Sequence, residues 1–427
     1  MEYFIIEGSR PLSGTITPVG NKNAALPLLA ASLLTDEPLH LRNVPNIGDV
    51  RTKIELLTRM GVVIEADNAH GLMLQASGVG ASEPDWELSR RIRTAPLLAG
   101  PLLARRGFVT IGRPGGDRIG RRRLDTHWLA LQALGARIEI GGDRFTLRAD
   151  RLRGCDLFLD EMSVTGTEQA ILAAVLAEGT TTISNAASEP HVQDVCRCLN
   201  AMGARISGIG TNGLVIEGVS RLHGTTYTIG PDYMEVGSLI GLAAATGSSL
   251  RIVHARPEEH RMTRIVFGRL GVHWDDDGAD IVVPAEQELR VQTDLDGSIP
   301  KIDDMPWPGF PPDLISIALV VATQVHGTVV IHQKMFERRL VFVDRLIEMG
   351  AGIVLCDPHR AVVIGPARLH GEQLVSPDIR AGMALIIAAL AADGTSVIQN
   401  ISQIDRGYEQ IEVRLQALGA QIERRNG

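Results

Sequence analysis

Arginines are concentrated in one stretch of the sequence, where they could hold an anionic ligand. Ten of them fall between residues 90 and 123, against a single acidic residue, Asp117. The guanidinium group presents a planar fork of donors that fits carboxylate and phosphate oxygens, so this density indicates an anion site. The alternative is that most of the ten belong to a solvated charged face. They are Arg90, Arg91, Arg93, Arg105, Arg106, Arg113, Arg118, Arg121, Arg122 and Arg123.

A second set of candidate residues stands immediately before the most apolar helix-like segments. Segments such as 171–177 and 386–391 are apolar nearly all round, which predicts buried helices. The first turn of a helix has unpaired N–H groups and the positive end of the helix dipole. Six such helix starts directed at one cleft would therefore bind an anion. The residues before them are 20–23, 91–94, 163–166, 231–235, 311–313 and 378–380.

One β/α pattern that would position these residues is repeated six times along the chain. Each copy ends with an amphipathic helix, a glycine and a strand rich in β-branched residues. Successive glycines are between 68 and 79 residues apart, which is too long for a solenoid repeat and suits a small subdomain. We therefore predict an α/β fold of six repeated β/α subdomains. The glycines are Gly61, Gly135, Gly203, Gly271, Gly350 and Gly419.

The composition is that of a globular protein with an aliphatic core. The chain has 427 residues, of which 44% are hydrophobic and 4% aromatic. This length is enough for about two to three domains. The composition excludes collagen-like chains, disordered tails and small disulfide scaffolds. A net charge of −8 and the lack of aromatic residues among the arginines argue against a nucleic-acid partner.

Neither a metal site nor a membrane segment is expected. The four cysteines, at positions 155, 196, 198 and 356, lack the second Cys or His pair that a zinc site needs. The first residues do not form a basic region followed by a long apolar stretch, and no apolar run is long enough to span a bilayer. We expect a cytoplasmic protein without a structural metal or a membrane partner.

Several short motifs are spread over nearly the whole chain. The first is Gly-Asn-Lys-Asn-Ala-Ala-Leu-Pro at 20–27, and the others are Gly-Pro-Leu-Leu-Ala-Arg at 100–105, Pro-Gly-Gly at 114–116, Pro-Gly-Phe-Pro at 308–311 and Ile-Asp-Arg-Gly-Tyr-Glu at 404–409. In type and interval they resemble the motifs of the enolpyruvyl transferase family. The shikimate branch of that family usually opens with Gly-Ser-Lys-Ser, so the asparagines favour the branch that acts on a nucleotide sugar.

The resemblance implies a two-domain inverse α/β barrel whose active site lies in the cleft between the halves. Residues 1–21 and 231–427 would form the C-terminal half, and residues 22–230 the inserted half. Each half would contain three subdomains, and the inserted half would carry an active-site loop near 113–123. No Pro- or Ser-rich linker marks these boundaries, which depend on the register of the repeats.

The activity implied by the resemblance is transfer of the enolpyruvyl group of phosphoenolpyruvate to the 3-hydroxyl of UDP-N-acetylglucosamine, in peptidoglycan precursor synthesis. In this family C3 is protonated, the alcohol adds to C2, and phosphate then leaves with a C3 proton. Cations must hold the anionic groups while an acid and a base move protons, and no cofactor or metal is needed.

The resemblance also assigns roles to individual residues. Lys22 and Asn23 would contact phosphoenolpyruvate, and Asp313 would contact the acceptor hydroxyl as a candidate base, with helix N-capping as its alternative role. Asp49 and Arg339 are weaker matches, and a cap or salt bridge is an equal alternative for Asp49. The catalytic set is Asp117, Lys22, Asp313 and Arg406. The substrate-binding set is Lys22, Asn23, Arg93, Arg122, Arg123, Leu124, Asp125, Thr126, Ser163, Asp313, Met335, Arg380 and Arg406.

Asp117 departs from the usual family pattern, in which a cysteine follows the Pro-Gly-Gly loop as the proposed proton donor. Fosfomycin alkylates that thiol, so a carboxylate at this position predicts resistance to inactivation. Asp117 would serve as general acid if burial or the anionic substrate kept it protonated, whereas nearby arginines favour its ionised form. The alternative is a loop carboxylate that pairs with Arg118 or Arg121.

Further departures concern the acceptor. Glu161 stands where relatives have lysine, Thr165 alters the motif that follows, Arg123 replaces a proline, and Tyr233 replaces a frequent arginine. Fewer cations near a diphosphate weaken the assignment of UDP, although Arg123 could compensate. Two alternatives therefore stay open: enolpyruvyl transfer to a different nucleotide or sugar, or a nucleotide-sugar-binding paralogue without activity.

Overall fold

The computed structural model describes residues 2–80, 83–117 and 119–427. The chain divides into two compact units. The first unit consists of Met1–Val19, Arg118–Arg121 and Pro231–Gly427, and the second consists of Gly20–Asp117 and Arg122–Gly230.

The first unit contains six helices and twelve strands within the described ranges. The helices are α8 (Tyr233–Thr246), α9 (Arg261–Gly268), α10 (Ile315–Thr323), α11 (Val343–Glu348), α12 (Ile379–Ala391) and α13 (Ile411–Gln416). The strands are β1 (Glu2–Glu7), β2 (Ser13–Ile16), β14 (Ser249–Ile252), β15 (Asp275–Asp277), β16 (Asp280–Val283), β17 (Lys301–Asp303), β18 (Gly327–His332), β19 (Gly352–Asp357), β20 (Arg360–Gly365), β21 (Gln373–Val375), β22 (Thr395–Gln399) and β23 (Gln421–Asn426), where β1 and β2 precede the second unit in the chain.

The second unit is inserted between β2 and α8. Its helices are α1 (Lys22–Ala31), α2 (Gly48–Arg59), α3 (Trp86–Ser89), α4 (Ala99–Arg106), α5 (Asp125–Ala133), α6 (Val164–Ala174) and α7 (Pro190–Ala201). Its strands are β3 (Leu39–Arg42), β4 (Val63–Asn68), β5 (Gly71–Gln75), β6 (Phe108–Gly112), β7 (Arg137–Gly141), β8 (Arg144–Arg148), β9 (Asp156–Phe158), β10 (Thr180–Ser184), β11 (Arg205–Ser207), β12 (Gly213–Glu217) and β13 (Thr225–Thr228).

Each unit has three small sheets, and five of the six repeat one pattern, in which three antiparallel strands are joined by a parallel edge strand. In the first unit the orders are β21-β22-β1-β23, β15-β16-β14-β2 and β17-β18-β20-β19; in the second they are β13-β3-β5-β4, β11-β12-β10-β9 and the shorter β6-β8-β7. No parallel neighbour of β6 occurs within the described ranges. Helix α3 contacts β6 instead, and the ring of Trp86 lies where a side chain at Gly112 would stand.

The repeated glycines follow the outer helices as the sequence predicts. All six have φ between 80° and 102°, a backbone conformation that L side chains rarely adopt. Each glycine ends a helix and turns the chain into the next strand. The local signal that defined the repeat therefore reflects a backbone requirement.

Each unit has its own hydrophobic cluster, with the most apolar helices inside it. In the first unit α8, α10 and α12 contact one another, and almost every residue of these helices is buried. In the second unit α6 contacts α4, α5 and α7. Segment 386–391 lies within the buried helix α12, as predicted, whereas only 171–174 of segment 171–177 lie in the buried helix α6, which ends at Ala174.

The loop predicted near 113–123 is divided between the units. Residues Arg118–Arg121 belong to the first unit rather than to the inserted half, although Arg118 itself lies outside the described residues. The N–H of Arg338 donates to Ile119 O at 3.1 Å, and the N–H of Arg121 donates to Glu337 Oε2 at 3.1 Å. Both hydrogen bonds join the loop to residues of the first unit, which accounts for the assignment of 119–121 to that unit.

No helix among the described residues combines the length and the apolar character that crossing a membrane requires.

Candidate active site

Lys22 begins α1, one of the predicted helix starts. Asn21 caps this helix, because its Oδ1 accepts from the N–H groups of Asn23 (2.8 Å) and Ala24 (3.2 Å). The Lys22 side chain is 10% exposed, and its Nζ lies 2.8 Å from Asp49 Oδ2. Lys22 is therefore not an exposed surface lysine. Of the roles considered for Asp49, a salt bridge is the one observed, and its partner is Lys22. Asn23 is partly buried in the same first turn.

Arg93 binds the backbone of the segment that follows the loop. Its Nη2 donates to the carbonyl oxygens of Arg122 (3.1 Å) and Arg123 (2.7 Å). Burial lowers the pKa of Arg93 to about 10, and the neighbouring Arg122 adds to the effect. The guanidinium still carries its charge at neutral pH, so this corner of the second unit is cationic.

The Pro-Gly-Gly loop packs directly on this arginine segment. A Cβ at Gly115 would lie 1.8 Å from Arg90 O, and one at Gly116, where φ is 106°, would lie 2.9 Å from Arg93 Cβ. Only glycine allows this approach. Asp117 follows directly and is partly buried, so the candidate acid lies at the end of a loop supported by Arg93.

Arg123, Asp125 and Thr126 form one network through Asp160. Arg123 donates through Nε to Asp125 Oδ2 at 2.9 Å and through Nη2 to Asp160 Oδ2 at 2.8 Å. Thr126 Oγ1 donates to Asp160 Oδ1 at 2.8 Å. Leu124, between them, packs against the hydrophobic cluster of the second unit. The Arg123 side chain is 40% exposed, so these contacts leave part of it accessible to a ligand.

Ser163 caps α6 and lies beside α5. Its Oγ accepts from the N–H of Gly166 at 3.2 Å, and Thr165 Oγ1 lies 2.9 Å from His127 Nε2. Burial lowers the pKa of His127 to about 3, and the charges of Arg93 and Arg122 contribute. His127 is thus neutral, and its hydrogen bond with Thr165 connects the first turns of α5 and α6.

Asp313 lies between two arginines of the first unit. One carboxylate oxygen accepts from Arg339 Nη2, and the other accepts from Arg380 Nε at 3.0 Å. Neither the 3-10 helix Pro312–Leu314 nor α10 has a side-chain N-cap. The alternative role of Asp313 as a helix cap is therefore wrong: its oxygens bind guanidinium groups instead.

Arg380 is held at the start of α12. Asp378 caps this helix by accepting from the N–H of Arg380 at 2.8 Å and lies 3.6 Å from Arg339 Nη1. Although burial disfavours the charged form, Tyr408, Asp313 and Asp232 raise the pKa of Arg380 well above its usual value. The Arg380 guanidinium lies over the Tyr408 ring, 5.3 Å from its centroid.

Met335 and Arg406 are positioned by separate networks in the first unit. Asp304 accepts from the N–H groups of Lys334 (2.5 Å) and Met335 (3.2 Å), and Met335 is 38% exposed. Arg406 Nη1 donates to Gln403 Oε1 at 2.9 Å. Arg424 binds Asp405, the residue before Arg406, through two donors at 3.0 and 2.6 Å.

The departures from the family pattern have different surroundings. Tyr233 is 1% exposed and meets Trp307 edge-on, with ring centroids 5.8 Å apart. A buried ring here has a packing role. Glu161 is exposed.

The predicted residues thus fall into networks within each unit. In the second unit, contacts link Arg93 with the Pro-Gly-Gly loop and with 122–123; in the first, they link Asp313, Arg339 and Arg380. Sequence reasoning missed two of the carboxylates that organise them, Asp160 and Asp304, and placed the third, Asp378, only as part of a helix start. Only Asp378 had a local signal, since it precedes an apolar helix as an N-cap residue does.

Across the described ranges, no group of three or more His, Cys, Asp and Glu side chains is arranged to hold a metal ion.

Comparison with known proteins shows a full-length likeness to carboxyvinyltransferases. The family model for EPSP synthase (3-phosphoshikimate 1-carboxyvinyltransferase) matches residues 6–415. The UDP-N-acetylglucosamine 1-carboxyvinyltransferase of Treponema denticola is 56% identical over 423 residues, which covers 99% of both chains. The enzyme of the same name from Bradyrhizobium diazoefficiens is 55% identical over 421 residues, covering 99% of this chain and 97% of that one.

Solved structures show the same fold. The enolpyruvyl transferase NikO from Streptomyces tendae superposes with a TM-score of 0.89 at 24% identity, covering 100% of this chain and 99% of that one. An EPSP synthase from Acinetobacter baumannii gives 0.76 at 18% identity, covering 100% of both. The predicted fold class, an α/β enolpyruvyl-transferase fold of six repeated subdomains, is confirmed.

Proposed function

The chain belongs to the EPSP synthase family, and we propose that within it the protein transfers the enolpyruvyl group of phosphoenolpyruvate to the 3-hydroxyl of UDP-N-acetylglucosamine, releasing phosphate. The observation that carries this proposal is the 56% identity over 99% of the chain to an enzyme with that name. The reaction serves peptidoglycan precursor synthesis, and we propose that the protein acts in the cytoplasm.

The chemistry divides between an acid, a base and a set of cations. Asp117 gives a proton to C3 of phosphoenolpyruvate while the acceptor oxygen adds to C2 and passes its proton to Asp313. The intermediate then returns a C3 proton to the Asp117 carboxylate, while phosphate leaves with the proton that Asp313 holds; this restores the double bond and both side chains. Lys22 and Asn23, with Arg122, Arg380 and Arg406, bind the carboxylate and phosphate.

The surroundings of Asp313 support its role as the base. Two guanidinium groups bind its oxygens, so the carboxylate is held in one orientation. Both arginine side chains are at most 8% exposed. A base must be fixed within hydrogen-bonding reach of the proton that it removes, and this arrangement supplies the rigidity.

The acceptor is assigned to residues of the second unit and to Met335. Arg93, Arg123 and the start of α5 present cations and N–H groups to phosphate oxygens. Ser163 holds the start of α6 beside them. Arg123 binds Asp160, the residue before Glu161, and its side chain is 40% exposed. This cation supports a diphosphate ligand although Glu161 departs from the lysine that the family resemblance implies.

Phosphate release from phosphoenolpyruvate, measured with and without UDP-N-acetylglucosamine, tests the proposal. We expect release only with the acceptor, and undiminished release in the presence of EDTA, because Lys and Arg side chains supply the positive charge. The exposed Glu161 favours a second candidate, transfer to another nucleotide or sugar. Release with a different acceptor and none with UDP-N-acetylglucosamine would establish that candidate, and binding of the nucleotide sugar without any release would show an inactive paralogue.

A further inference from the structure

Lys53 of α2 is fully buried, with 0% exposure, which is rare for a lysine. Its Nζ donates to the carbonyl oxygen of Thr94 at 2.9 Å. The same carbonyl accepts from the N–H of Leu97 at 3.2 Å. A side chain from α2 therefore holds the backbone immediately after Arg93.

Glu168 of α6 is a second buried ionisable group, and its charge acts on Lys53. It is 1% exposed, and its negative charge favours the charged form of the lysine. Burial nevertheless lowers the pKa of Lys53 to about 7. Burial also raises the pKa of Glu168 well above its usual value, an effect to which Glu189 adds and which Lys53 opposes.

Stability does not explain this pair. Two ionisable groups in a fully buried site carry a desolvation penalty, and apolar side chains of similar volume are often as stabilising or more so. The other positions of α2 that face the core, such as Leu56 and Leu57, are apolar. The donor at position 53 therefore has a use beyond packing.

That use is indicated by what the held segment supports. Segment 90–94 lies under Gly115 and Gly116, which approach Arg90 O and Arg93 Cβ too closely for any larger residue. It also carries the Arg93 guanidinium, bound to the carbonyl groups of 122 and 123. A displacement of segment 90–94 would thus move both the loop that ends at Asp117 and the segment that begins at Arg122.

We propose that Lys53 is a positioning residue that fixes segment 90–94 and, through it, the stretches 115–117 and 122–125. The assignment rests on the proposed function, because those stretches carry the general acid and the acceptor contacts. Lys53 itself touches neither substrate.

The test compares Lys53→Met, Glu168→Gln and the double variant. Methionine has nearly the volume of lysine but cannot donate to Thr94 O. We expect Lys53→Met to raise the KM for UDP-N-acetylglucosamine about ten-fold, the loss typical of a hydrogen bond from a charged donor, together with a lower kcat. Ile216→Ala, in strand β12 of the same unit, is the control: it should open a cavity and lower Tm but leave KM unchanged, because Ile216 is not part of segment 90–94, 115–117 or 122–125.

The double variant separates positioning from stability. It has no unpaired buried carboxylate, so its Tm should recover relative to Lys53→Met, while its KM should stay high because Thr94 O still lacks the donor. Recovery of KM together with Tm would assign Lys53 a structural role and overturn the proposal.

Hydrogen exchange of the ligand-free protein tests the positioning without depending on the reaction. We expect faster exchange in Lys53→Met at 90–97 and 113–125, and unchanged exchange there in Ile216→Ala. Unchanged exchange in Lys53→Met would contradict the positioning role. If the unaltered enzyme fails to release phosphate with UDP-N-acetylglucosamine, the proposed function fails, and the exchange result still decides the role of Lys53.

Discussion

Two carboxylates are proposed to move protons, and the structure gives them different surroundings. Asp313 is bound by the buried arginines Arg339 and Arg380, which fixes it in place. Asp117 instead follows two glycines in a loop that packs on Arg93. A fixed carboxylate suits the base, and a carboxylate at the end of a glycine loop suits the acid that must reach carbon.

Replacement of Asp117 tests the acid. Asparagine cannot donate an acidic proton, so Asp117→Asn should lower the rate of phosphate release by at least about 100-fold, the scale of general acid catalysis. Binding of UDP-N-acetylglucosamine, measured by calorimetry, should be unchanged. A variant with near-normal turnover would exclude Asp117 as the donor.

A thiol at the same position supplies the matched control. We expect the natural protein to keep its activity after incubation with fosfomycin, whereas Asp117→Cys should retain turnover and become inactivated. Mass spectrometry should then find the adduct at residue 117 of the variant alone. A covalent adduct on Asp117 of the natural protein would contradict the expectation.

Asp313→Asn should affect both turnover and folding. The substitution leaves two buried guanidinium groups without their carboxylate, and we expect a loss of about 3 kcal/mol in the free energy of unfolding. Turnover should fall because the base is removed. Asp393→Asn, which breaks the exposed pair with Arg368, should change neither quantity appreciably, as urea titration and phosphate release would show. Equal stability of the two variants would argue against the buried network.

At the scale of elements, the helix starts have a common arrangement of capped N–H groups, but they do not carry the same functional side chain. Asn21, Ser163, Asp232 and Asp378 each accept from backbone N–H groups at the start of an apolar helix. The start of α10 has no side-chain cap, and Asp313 there binds arginines instead. One repeated element therefore positions chemically different residues.

Removal of the cap of α1 should disturb Lys22. Asn21→Ala leaves the N–H groups of Asn23 and Ala24 without their acceptor, which should cost about 1 kcal/mol of stability. It should also raise the KM for phosphoenolpyruvate, because Lys22 is the first residue of the helix. Asn21→Ser, with another good cap, should stay close to the natural protein in both measurements. A normal KM in the alanine variant would separate Lys22 from its cap.

At the scale of the whole molecule, each unit buries a histidine in its own hydrophobic region. His127 in the second unit is 2% exposed, and His260 in the first is 1% exposed. Burial lowers the pKa of His260 to about 4 and that of His127 to about 3. Both are neutral in the folded protein at pH values where the unfolded chain protonates its histidines.

Acid should therefore destabilise the fold through these groups. A histidine with a lowered pKa contributes stability that is fully present above the unfolded value near 6.5 and is lost as pH falls toward the folded value. For His260 this loss is about 2 kcal/mol at pH 5. The free energy of unfolding of His260→Gln should thus fall less between pH 7 and pH 5 than that of the natural protein. His273→Gln, at an exposed position, should show the natural slope; identical slopes for all three proteins would refute the assignment.

The repeated architecture could be predicted from sequence because its signals are local. The glycine after each outer helix needs a positive φ, and the central helices are apolar on every side; both requirements act within a few neighbouring residues. The helix starts that carry Lys22, Ser163 and Arg380 follow from the same patterns. The motif resemblance then indicated the family, which the full-length comparisons show.

Only the tertiary structure decided which groups pair. Asp313 binds arginines 26 and 67 residues further along the chain, and Lys53 reaches a carbonyl 41 residues away. In sequence, Asp313 was a candidate base and a candidate helix cap, and Lys53 was given no role. Periodicity reports which face of an element is buried, whereas the partner of a buried polar group depends on how distant elements pack, because such a group must find its hydrogen bonds wherever the fold places them.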